Sequence, residues 1–135
     1  MKIRIISSRE EINSLRPNEK AVHLSFRPSN VDLINLIKRS PRLQMIQVPH
    51  SYMRTMSKAM EVFLEMQGVQ LLEGDVWGHR KDIDEYFTVP EEALNAIKSM
   101  SEKGLSTEEM AEVVQKSSKL GRGLIEYIAK TRMTA

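Results

Sequence analysis

The segment that decides the fold is LIKRSPRLQMIQVPHS, residues 36–51. Upstream of it, Val31, Leu33, Ile34, Leu36 and Ile37 recur at helical spacing behind the cap-forming pair Ser29-Asn30. The residue before Pro41 resists the helical region, so that helix ends near Ser40. LQMIQV (43–48) is about as long as one strand. From about Ser51 to Gln67 the helical period returns through Met53, Met56, Met60, Phe63 and Leu64, and Gly68 stops it. A helix, a strand and a second helix in this order are the pieces of a parallel sheet with crossover connections.

The flanking sequence repeats the pattern. KIRII (2–6), AVHLSF (21–26) and GVQLLE (68–73) read as further strands, with a short helix within Arg9 to Leu15. The first two alternate, with Ile3 and Ile5 against Arg4, and Val22, Leu24 and Phe26 against His23 and Ser25. A parallel strand covered on both faces is apolar almost throughout. One sheet face is therefore expected to be open, and His23, Ser25 and Gln47 on it would suit a protein partner. Leu43, Ile46, Val48 and Ser51 follow the spacing of a leucine-rich repeat, and Leu24, Ile46 and Val69 recur within its roughly 20–29-residue period. The third unit fits poorly, because Gly74 stands where that repeat carries a polar residue. The expected fold is α/β, a small parallel sheet of three to four βα units in residues 1–88. A leucine-rich-repeat-like stack and an open Rossmann-like sheet both satisfy the pattern.

Residues 89–135 read as a three-helix tail or cap packed on that sheet. DEYFTVP (84–90) suits a short edge strand or an extended connector, and Pro90 then opens a helix with Glu91-Glu92 at its positive end. STEE (106–109) is a capping box, and Leu124, Ile125 and Ile128 mark a last helix from about Gly121. The last two helices have the order of a helix-turn-helix. Their turn, about Lys116 to Leu120, exceeds the three or four residues of the DNA-reading motif, and Gly121 and Gly123 weaken the start of the presumed recognition helix. A cap or a dimer face is favoured over DNA reading.

Composition narrows the chemistry. The chain of 135 residues has no Cys, which removes disulfides, thiolate nucleophiles and Cys-type metal sites. No run approaches the roughly 18 apolar residues of a membrane span, and the start of the chain has too short an apolar core for a signal peptide, so a cytoplasmic protein with no membrane contact is expected. A net charge of +2 does not argue for nucleic acid by itself. Its distribution is more informative, since Lys116, Lys119, Arg122, Lys130 and Arg132 face only Glu126 at the C-terminal end. Nine Met are read as core filling.

Three stretches, SSREEI, HLSFRPSN and EGDVWGHRKDIDEYF, resemble those of an uncharacterised family of archaeal proteins, a domain of unknown function found mainly in methanogens. The resemblance implies an archaeal cytoplasmic protein and supplies no activity, substrate or catalytic residue.

In a parallel α/β sheet, loops and helix N-termini converge at the carboxyl ends of the strands, where ligands usually bind. Here those ends carry Ser7-Ser8-Arg9, then Arg27-Pro28-Ser29-Asn30, then His50-Ser51-Tyr52 with Arg54, then Gly74 to Lys81 with Trp77, His79 and Arg80. Arg27, Arg54 and Arg80 can fork onto phosphate, Ser29, Asn30, His50 and His79 can add hydrogen bonds, and Tyr52 and Trp77 can stack on a base. A phosphate-bearing ligand, RNA or DNA above all, is the expected partner, with no cofactor and no metal. Taken singly, Ser29 and Asn30 are also what helix capping predicts. An enzyme would need a base, for which His50, His79 and Asp75 are the candidates. The chain lacks the nucleophile elbow, phosphate loop and dinucleotide turn, so a non-catalytic binding protein is favoured. A homo-oligomer or a protein partner is the remaining alternative.

Overall fold

The computed structural model describes residues 1–76, 85–118 and 120–134, the side chains of 132–134 excepted. Among the described residues, five strands form one sheet in the order β4-β3-β2-β1-β5. β1 (Lys2–Ile6), β2 (Ala21–Leu24), β3 (Met45–Val48) and β4 (Gln70–Glu73) are mutually parallel. β5 (Tyr86–Thr88) runs antiparallel along β1, with Lys2 opposite Thr88, so DEYFTVP supplies an edge strand and not a connector.

A 3-10 turn (Arg9–Ser14) joins β1 to β2. α1 (Asn30–Arg39) joins β2 to β3 behind a complete capping box, in which the Ser29 hydroxyl accepts from the Asp32 amide and the Asp32 carboxylate accepts from the Ser29 amide. The single helix expected from Ser51 to Gln67 is two. α2 (His50–Met53) gives way at Arg54, and α3 (Lys58–Met66) starts afresh behind Ser57, whose hydroxyl accepts from the Met60 amide. Local side-chain bonds compete with the helix at that break: Thr55 Oγ1 donates to the Tyr52 carbonyl while Ser57 caps the next turn.

The sheet has a core on each face. Ile6, Val22, Leu24, Ile46 and Val48 pack against Ile12, Leu33, Leu36, Met60 and Leu64 from the connecting helices. Ile3, Ala21 and Met45, on the opposite face, pack against α4 (Glu91–Glu102), α5 (Thr107–Ser117) and α6 (Arg122–Thr134) through Ile97, Met110, Val114, Leu124, Ile125 and Ile128. The expectation of an open sheet face is therefore incorrect. His23 and Gln47 have no exposed surface, and Ser25 is half-buried. The alternation was misleading because the polar residues are buried by pairing with one another: His23 Nδ1 lies 2.8 Å from Gln47 Oε1 on the neighbouring strand. Arg4 is buried in the same way, within 3.6 Å of Glu19 and donating at 2.9 Å to Ser14, while Tyr86 donates to Glu19 at 2.7 Å. That network ties the edge strand to the turn after β1.

Candidate ligand site at the carboxyl edge

The loops that follow the parallel strands form two neighbouring features. The first is a corner built from the β2–α1 and α2–α3 connections. Arg27 Nη1 donates to Thr55 Oγ1, and the guanidinium lies over the Tyr52 ring at 5.2 Å from its centroid. Ser57 Oγ donates to Asn30 Oδ1 at 3.4 Å, so both connections are joined twice. Arg27, Arg54 and Lys58 are all exposed here, and Glu61, 3.8 Å from Lys58, is the opposing carboxylate. The corner presents fixed positive charge on a semi-rigid frame. Ser29, in contrast, uses its hydroxyl and amide in the cap of α1.

The second feature is an open cleft of about 440 Å³ between the ends of β3 and β4 and the start of α6. His50, Glu73, Gly74 and Asp75 line one side; Gln115 and Arg122 line the other. His50 Nδ1 pairs with Glu73 Oε1, but His50 is 68% exposed and Glu73 48%, an arrangement worth little in water. Asp75 Oδ1 accepts from the Val76 amide at 2.8 Å and stands 3.5 Å from His23 Nε2, so the buried imidazole backs the carboxylate from below. His50 and Asp75, named as candidate bases, thus line one cleft. Of the other named residues, Trp77, His79 and Arg80 lie outside the described residues. Among the described residues no group of three or more His, Asp and Glu side chains gathers as a metal site.

The contribution of the tail to this cleft was not read from the sequence. Its signal was the glycine pair at the start of α6. A Cβ on Gly121 would stand 3.6 Å from Gly74 Cα, and one on Gly123 would stand 3.2 Å from the Glu73 carbonyl oxygen. Those glycines permit close approach of helix to strand end. The rest of α6 turns inward: Leu124, Ile125, Tyr127, Ile128 and Ala129 are buried, and burial pushes the Tyr127 hydroxyl pKa up.

Fold and site together define a mixed α/β protein whose parallel-strand edge meets a C-terminal helical unit. The chain belongs to a family of unknown function, DUF1699: the model of its N-terminal domain matches residues 2–85, and the model of its C-terminal helix-turn-helix domain matches residues 92–130. No curated protein and no solved structure matches the chain. No helix among the described residues is long and apolar enough to cross a membrane.

Proposed function

We propose that this protein binds single-stranded nucleic acid, RNA in the first instance, at the corner formed by Arg27, Asn30, Tyr52 and Arg54. The observation that carries the reading is the exposed Arg27 guanidinium held over Tyr52 and bonded to Thr55. A guanidinium fixed in this way offers N–H donors to phosphate and a planar face to a base, the two contacts that single-strand recognition uses most. Arg54 and Lys58 extend the charge along the α2–α3 connection.

The helix-turn-helix description of the family's C-terminal domain supports nucleic acid as a class. It does not favour α6 as the reading helix, because five of the six positions from 124 to 129, namely Leu124, Ile125 and Tyr127 to Ala129, are packed inside. In this reading residues 1–88 are the binding unit and 89–135 its cap. The parallel strands follow one another across the sheet without reversal, which favours the repeat-like stack over the Rossmann-like sheet.

The test is titration of labelled single-stranded RNA, duplex DNA and free nucleotides at two salt concentrations. Three phosphate contacts imply about a tenfold or greater loss of RNA affinity for a fourfold rise in salt. Arg27→Ala and Arg54→Ala are each expected to weaken RNA binding several-fold and to flatten the salt dependence by about one contact. Binding that ignores salt, or that survives both substitutions unchanged, would overturn the assignment.

A further inference from the structure

β4 is an outer strand of the sheet, and its free side has the chemistry of a peptide-binding edge. The Gln70 and Gly74 amides donate to the Gln44 and Val48 carbonyls at 2.9 Å, toward β3. Successive residues of a strand turn their backbone groups to opposite sides, so the Leu71 N–H and C=O point away from β3. Among the described residues no strand lies on that side. Natural edges are often blunted by lysine, proline or a bulge, yet QLLE carries neither Lys nor Pro and pairs with β3 in unbroken register. At the far end a Cβ on Gly123 would stand 3.2 Å from the Glu73 carbonyl oxygen, so α6 comes close there and the open part of the edge centres on Leu71.

Beside that edge runs an open groove of about 650 Å³. Met53, Val69 and Leu71 give it an apolar lining, and Val69 and Leu71 lie on the sheet face that α3 covers. Glu61 and Glu65, one turn apart on α3, give it charge, and no Lys or Arg lines it. Lys58, 3.8 Å from Glu61, is exposed and worth little as a partner. Like charges four residues apart destabilise a helix, and a cation set between them relieves both.

We infer that this edge takes up an extended, basic segment of another protein as an added strand. The residue opposite Leu71 exchanges both backbone hydrogen bonds with it. That residue and those two positions to either side lay their side chains in the groove. Lys or Arg there packs its methylene stem on Met53 and Leu71 and carries its charge to Glu61 and Glu65. Charge decides against the other occupants. A second copy adding β4 to β4 about a two-fold axis would set the carboxylates of both copies face to face, and a nucleic acid would bring phosphate against them.

The test is fluorescence anisotropy of labelled octapeptides with the full-length protein: one alternating Lys with Thr, one alternating Glu with Thr, and the Lys–Thr peptide N-methylated along its backbone. The Lys–Thr peptide is expected to bind saturably and the Glu–Thr peptide not at all. N-methylation, which removes the strand's donors, should weaken binding by about tenfold or more. Glu65→Lys should weaken it by about fivefold or more, while Glu102→Lys, the same charge change on α4, leaves it unchanged. Should Glu65→Lys fail to fold, Glu61→Gln serves in its place. The inference falls if no peptide binds saturably, if the N-methylated peptide binds as well, or if Glu102→Lys weakens binding equally. It falls also if sedimentation shows a dimer that Leu71→Pro dissolves, which would give the edge to a second copy. RNA binding by the basic corner is read separately, in the Arg27→Ala and Arg54→Ala proteins, and does not depend on the result.

Discussion

Asp32 shows how one side chain serves two tasks. It is 3% exposed, it closes the capping box with Ser29, and it accepts from Arg9 Nε at 2.7 Å. Burial pushes its carboxyl pKa up, but the Arg9 hydrogen bond and the Ser29 amide and hydroxyl outweigh that effect and hold it below the usual aspartate value. A depressed folded-state pKa means that the carboxylate's contribution is complete above the unfolded value and is lost as pH falls through the folded one. Asp32→Asn is therefore expected to cost about 1–2 kcal/mol at pH 7, the range of a lost cap. The difference from the unsubstituted protein should begin to shrink below about pH 4, the unfolded value, and vanish only as pH falls through the lower folded one. Urea unfolding at pH 7, 5 and 3 measures this, and a constant difference across that range would reject it.

At the scale of elements, the joint between β4 and α6 is the most sensitive part of the edge. An alanine methyl at Gly74 would sit 2.7 Å from Gln47 Nε2, and Gln47 cannot swing aside without leaving His23. Gly74→Ala is expected to destabilise by about 1–3 kcal/mol. In Gly74→Ala with Gln47→Ala the two costs should add to less than their sum, as residues in contact do. Chemical denaturation of the four proteins closes that cycle. The same joint shows what could be read beforehand. β1 was legible to the residue, because Ile3 and Ile5 alternate with Arg4 over a clean run. The second sheet face was not, because period-two alternation reports polarity and not exposure, and His23 and Gln47 are buried side by side with a hydrogen bond between them. Arg27, His50, Tyr52 and Arg54 were legible as edge residues because each lies within a few residues of the end of a strand. Gln115 and Arg122 were not, since nothing local to α5 or α6 says which strand they dock against.

For the molecule as a whole, α4 to α6 complete one of the two cores. Without them Ile3, Ala21 and Met45 would be bare to water, and the buried His23 and Gln47 would be uncovered. A fragment of residues 1–88 is therefore expected to lose cooperative unfolding and to bind a hydrophobic dye, whereas the full chain unfolds in one transition. A fragment that melts cooperatively without dye binding would show the sheet to be self-sufficient.

The strand order also governs how the chain finds its fold. Each parallel pair joins neighbours separated by a single crossover, so β1 to β4 can assemble by successive short closures. β5 must instead bring Thr88 back beside Lys2, on the far side of the strand where the sheet began. That contact closes the longest loop in the sheet and gains least from what forms before it. The edge strand, with Tyr86 reaching the buried Glu19, is thus expected to act as a late latch, so that Tyr86→Phe should speed unfolding and leave the folding rate nearly unchanged in stopped-flow measurements.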